Sequence, residues 1–92
     1  MSQPSPVVAL NRAIAIGFRD GWATGLAELD RLDAPALAGY YLVPAARADF
    51  LRRLDRTAEA REVYEAALRL APADGPERRL LERRIAETSM PA

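Results

Sequence analysis

The stretch from Ala45 to Pro72, AARADFLRRLDRTAEAREVYEAALRLAP, constrains the fold of this chain more than any other. It reads as two helices joined by a tight turn. Leu51 and Leu54 end the apolar face of the first helix, and Asp55-Arg56 make the turn. Thr57 is a favourable N-cap for the second. That second helix carries Ala60, Val63, Tyr64, Ala67 and Leu68 on one face at helical spacing, and Pro72 stops it. Small residues at Ala48 and Ala60 let two helix backbones approach closely, and the Tyr64 ring fills the wedge between them.

The rest of the chain adds helices on both sides. Ser5 and Pro6 suit an N-cap and a first helical residue. A helix follows to about Arg19, with Val7, Leu10, Ala13, Ile14 and Gly17 on its stripe and Ile16 and Phe18 widening it. Asp20-Gly21 closes it. A second helix runs from about Trp22 to Leu32, striped by Leu26, Leu29 and Leu32. Gly25 inside it costs about 1 kcal/mol relative to Ala, which close approach of the preceding helix would explain. Asp33-Ala34-Pro35 is a break, followed by a short helix or turn to about Gly39 and a helix to Leu54 with Pro44 in its first turn or at a kink. After a loop at 71–75, Pro76 opens a final helix to about Thr88. Leu80, Leu81 and Ile85 face inward there, and Glu77, Arg78, Arg79, Glu82, Arg83, Arg84 and Glu87 face outward. Residues 1–4 and 89–92 are expected to be flexible termini, leaving one domain over 5–88.

The first two helices and the central hairpin match at an offset of 35 residues. Arg12 answers to Arg47, Ala13 to Ala48, Ile16 to Leu51, Asp20 to Asp55, Gly25 to Ala60 and Leu29 to Tyr64. The spacing and the small–aromatic–small pattern resemble the tetratricopeptide (TPR) unit of roughly 34 residues. The expected fold is therefore all-α, a TPR-like array of two helical hairpins plus a C-terminal capping helix with a charged outer face. Two repeats fall below the usual minimum of about three for a free-standing solenoid, so the array is expected to stack on another domain or a second copy.

Composition narrows the chemistry. The 92 residues contain no Cys and no His, which removes thiol and imidazole chemistry and the usual zinc sites. The few hydroxyls lie without a base, and no Gly-rich phosphate loop is present. The reading is not an enzyme, with no catalytic residues, no cofactor and no metal. The 13 Arg balance 13 Asp and Glu, a weak basis for nucleic-acid affinity. No apolar run approaches the roughly 20 residues of a membrane span, and no leader is apparent. The expected setting is cytoplasmic, with no membrane contact.

Several residues have both an internal and a functional reading. Arg12 and Arg47, at equivalent repeat positions, either snorkel and pair internally, with Asp49, Glu59 or Glu28 as partners, or point into a groove toward an acidic partner. Arg52 and Arg53 lie beside Asp49, which sits four residues before Arg53, so a self-compensating solvated face competes with a docking patch. Trp22 is expected in the core. Tyr40 and Tyr41 are adjacent on a helix and cannot both face one core, so they form either packing or a contact patch.

Four stretches carry a more specific resemblance: PSPVVALNRAIAI, DGWATGLAELDRL, GYYLVPAARADFLRRLDRTAEAREVYEAALRLAP and ERRLLERRIAE. SPVVALNRA at 5–13 and AARADFLRRL at 45–54 are the most distinctive pieces. Together, from Pro4 to Glu87, they resemble the TPR-like C-terminal extension of bacterial extracytoplasmic-function, sigma-24-type, RNA polymerase sigma factors. The resemblance implies a regulatory domain acting in transcription initiation through protein contacts. Its partners would be the factor's own upstream domains, RNA polymerase or a regulatory protein, with no direct DNA contact from this domain. On such a scaffold the first helix of each hairpin lines the concave face, which offers Asn11, Ile14 and Phe18 from the first helix and Asp49, Arg52 and Arg53 from the third. Two alternatives stand beside this: a packing or homodimerisation module without a separate ligand, and an accessory nucleic-acid-binding domain. Steep salt dependence would mark the last.

Overall fold

The computed structural model describes residues 5–32 and 37–89, and these form five α-helices with no strand among them. The expected flexible termini at 1–4 and 89–92 lie outside the described residues except for Ser89, which is helical, and the expected break at 33–35 lies outside them entirely. Helix α1 spans Pro6–Asp20, capped by the Ser5 hydroxyl, which accepts from the Val8 N–H at 3.2 Å. Gly21, at φ 112°, ends α1 and begins α2, Trp22–Asp30. One residue thus serves two helix ends, in a conformation that favours glycine. Helix α2 stops at Asp30, earlier than the expected Leu32, and Leu32 N–H closes a last turn onto the Leu29 carbonyl.

Helix α3, Leu42–Arg53, begins after a turn in which Tyr40 N–H donates to the Leu37 carbonyl. Pro44 is its third residue, where its missing N–H has no partner to lose. The helix ends in a left-handed cap. Asp55 has φ 62°, and the N–H groups of Asp55 and Arg56 bond back to the carbonyls of Arg52 and Leu51, the Schellman arrangement. Helix α4, Thr57–Leu70, takes Arg56 as its N-cap residue, so Thr57 does not cap it. Arg56 instead grips Glu59 in the first turn through two hydrogen bonds of 2.7 and 3.0 Å. Helix α5, Pro76–Ser89, runs one residue beyond expectation.

Each helix packs on the next, and α1 also touches α3. The result is a slab of 50 × 31 × 18 Å. Three of the pairs matched by the 35-residue offset are buried together, Ala13 with Ala48, Gly25 with Ala60 and Leu29 with Tyr64, whereas Ile16 is half-buried where Leu51 is buried and Arg12 is exposed where Arg47 is half-buried. The turns slip by one position, since the left-handed residue is Gly21 in the first hairpin and Asp55 in the second. The centre of the core is Phe50, 1% exposed, whose ring lies against the bare backbones of Gly17 and Gly25. A Cβ built on Gly25 would stand 2.6 Å from the Gly17 Cα, so α1 and α2 meet at van der Waals distance there. The expected reason for Gly25 is thereby observed. Two residues expected on inward stripes lie outward: Val7, on α1, and Leu80, on α5, are exposed, while Leu81 takes the buried position.

Candidate protein-docking site

The stripe of α3 formed by Leu42, Ala45, Ala46, Asp49 and Arg53 is the floor of an open groove of about 310 Å³. One wall is α1, through Ile14 and Phe18. The other is α5, through Leu80, Leu81 and Arg84, with Tyr64 of α4 beneath. The lining is mostly apolar. Two large apolar side chains are left partly exposed at its edges: Phe18 is 60% exposed and Leu80 47%. Isolated exposed apolar side chains are ordinary on protein surfaces. Here two of them face a shared concavity, which is the usual form of a binding surface.

The polar side of the groove is tightly ordered. Asp49 Oδ1 accepts from Arg52 Nη2 at 2.6 Å, and Oδ2 accepts from Arg53 Nε at 2.9 Å. Arg52 Nε also donates to the Tyr64 hydroxyl at 3.2 Å, and that hydroxyl lies 3.4 Å from Asp49. Burial pushes the Asp49 carboxyl up, but the hydrogen bonds and charges of Arg52 and Arg53 outweigh it and hold it below the usual carboxylate range. Burial raises the Tyr64 phenol above its ordinary value, with Arg52 opposing. Arg53 is fixed a second way. Its guanidinium lies 4.5 Å from the Trp22 ring centroid and 5.3 Å from that of Phe18, within cation–π range. Phe18, Trp22 and Phe50 form one aromatic cluster, with centroids 4.9 to 6.2 Å apart.

The groove gathers four of the residues singled out from the sequence: Ile14, Phe18, Asp49 and Arg53. Arg52 stands at its border, tied to Asp49 and Tyr64. Asn11 is exposed on α1 and does not line it. The two equivalent arginines lie elsewhere, in separate hollows. Arg47 pairs across to Asp30 of α2, a carboxylate outside the expected trio. Arg12 is exposed beside Val8, Glu28 and Leu32 and makes no ion pair among the described residues. Tyr40 and Tyr41 precede α3 rather than lying within it, so the expected helical geometry does not apply: they meet edge to face at 5.8 Å and both pack partly against the core. Tyr40 also borders a shallow hollow with Pro6, Val7 and Leu37. Burial, then the nearby charge of Glu77, raises the Tyr41 phenol above its ordinary value.

Sequence reading missed Phe50, Leu42 and the α5 wall. The spacing 42–45–49–53 is a helical stripe in its own right, and it carried the missing signal. Among the described residues no group of three or more Asp or Glu is placed to hold a metal ion, and no helix is long and apolar enough to cross a membrane.

No family model matches the chain, and no solved structure matches it. It is 42% identical over 69 residues to an uncharacterized protein of Rhizobium meliloti (strain 1021). The match covers 75% of this chain but 16% of that protein, so the chain spans only a small part of its relative's length.

Proposed function

We propose that this chain is a protein-docking domain with TPR-like stacking, the regulatory extension of an extracytoplasmic-function sigma factor. It would act in transcription initiation by holding a segment of its upstream domains, or of a partner protein, in the groove between α1, α3 and α5. The observation that carries the docking role is the shared concavity in which Phe18 and Leu80 stand exposed over an α3 floor. The sigma-factor setting rests on the resemblance of SPVVALNRA and AARADFLRRL. The relative from Rhizobium meliloti is consistent with it, because there the matching segment is a minor part of a much longer chain. A cytoplasmic location belongs to the same reading.

Sedimentation of the 92-residue chain, alone and with separately expressed upstream sigma domains, tests this proposal. Co-sedimentation is expected, and Phe18→Ser should abolish it with helicity intact. A chain that ignores those domains and sediments as a monomer would remove the sigma-factor part. Binding that survives Phe18→Ser and Leu80→Ser would remove the groove. One observation favours self-association as a second reading: Val7 and Val8 are 45% and 50% exposed together at the start of α1. A dimer broken by Val8→Asp in the same experiment would identify that surface.

A further inference from the structure

The groove has a chemical preference beyond being apolar, and its charges define it. Three charged side chains line it: Asp49, Arg53 and Arg84. Both oxygens of Asp49 already accept from Arg52 and Arg53, so its charge is satisfied from within. Arg53 is different. Only its Nε is engaged, and no described residue accepts from its two terminal amino groups. The Asp49 bond and the faces of Trp22 and Phe18 hold the guanidinium in place. A planar guanidinium with its orientation already fixed loses little further freedom on meeting a carboxylate. Arg84, on the opposite wall, is bonded only to Glu87 of its own helix, at 3.0 Å in an exposed pair, which is a weak tie. The available charge is therefore positive, set beside an apolar floor. A volume of about 310 Å³ lies at the small end of ligand cavities. It suits one or two large apolar side chains rather than a whole domain face.

Building on the docking reading above, we infer that the occupant is an acidic–apolar peptide segment, with an apolar side chain seated between Phe18 and Leu80 and an Asp or Glu carboxylate held by Arg53. Arg53 is then the residue that sets specificity, and Phe18 the one that supplies apolar contact. A phosphate backbone is a poorer match, because it would bring charge to the apolar floor and to Asp49.

Trp22, the only tryptophan in the chain, lies under Arg53 and reports on the site by fluorescence. Three blocked amphipathic peptides serve as probes, alike in their Leu and Phe positions but carrying Glu, Gln or Lys beside them. The Glu peptide should bind about fivefold more tightly than the Gln peptide at low salt, with the Lys peptide weakest. Arg53→Gln should erase the difference between Glu and Gln, and Arg53→Lys, which keeps the charge but loses the stacked planar fork, should keep only part of it. Phe18→Ala should weaken all three peptides, and circular dichroism should show every variant helical. Equal binding of Glu and Gln peptides, still weakened by Phe18→Ala, would overturn the acidic preference and leave the docking groove standing. Failure of all three to bind would overturn both. Displacement of the Glu peptide by oligothymidylate would overturn the choice of a peptide over a nucleic acid.

Discussion

Gly25→Ala sets two well-measured effects against each other, and the structure decides the sign. Intrinsic helix propensity favours Ala by about 1 kcal/mol at a mid-helix position. The new methyl, however, would lie 2.6 Å from the Gly17 Cα and 2.6 Å from the Phe50 ring. Carbon atoms prefer about 3.5–4.0 Å, so α1 and α2 must part by about 1 Å and the ring must move as well. The ring is fully buried and the other obstacle is backbone, so neither yields easily. Overpacking of this kind costs about 1–3 kcal/mol, and a backbone obstacle belongs at the upper end. The net expectation is a loss of about 2 kcal/mol, which lowers the melting temperature of a domain this size by about 10 °C. Thermal and urea unfolding followed by far-ultraviolet circular dichroism would measure it. Thr24→Ala, on the exposed side of the same helix, is the control and should be neutral or slightly stabilising. A Gly25→Ala chain that melts higher than the parent would refute the account of α1–α2 contact and the role assigned to Phe50.

Phe50→Ala should cost about 3–5 kcal/mol and leave the chain largely unfolded at 37 °C, read as lost helicity. Asp49→Asn should lower stability at neutral pH by about 1–3 kcal/mol, since two guanidinium groups lose a charged acceptor. The folded-state pKa of Asp49 is depressed, so its contribution is present above the unfolded value near 4 and is lost as pH falls through the folded value. The Asn variant should therefore show a flatter loss of stability on acidification. Asp55→Gly should raise stability by about 0.5 kcal/mol, because glycine accepts the left-handed cap at φ 62° without strain but adds freedom to the unfolded chain. Arg47→Ala should change stability by less than about 1 kcal/mol and lose that effect in high salt, as a half-exposed pair with Asp30 does.

The helices were legible in the sequence because caps and breakers act locally. Ser5-Pro6, Gly21, the Asp55-Arg56 turn and Pro72 all stand where the chain turns or stops. The 35-residue offset was legible for the same reason that small residues repeat where backbones cross. Other features depend on distant partners. Leu80 and Leu81 are adjacent, and either one fits the stripe of α5; only the position of α4 makes Leu81 the buried one. Arg47 found Asp30 through the packing of α2 on α3, a relation no local spacing contains. Phe50 looked ordinary until the two glycines it covers, on two other helices, were brought beneath it. The groove was half visible: Ile14, Phe18, Asp49 and Arg53 could be named, but its far wall on α5 could not.

The succession of the helices has a dynamic consequence for that groove. Helix α5 packs chiefly on α4 alone, whereas α1 is held by α2 and by the ring of Phe50. Local opening free energies follow how many neighbours an element loses when it detaches. Amide hydrogens of α5 should therefore exchange with deuterium sooner than those of α1 and α3. One bank of the groove is then stiff, carrying Phe18 and Arg53, while the other, carrying Leu80 and Arg84, can shift to fit what enters. A partner would be selected against the stiff bank and accommodated by the compliant one, and its arrival should slow exchange most in α5.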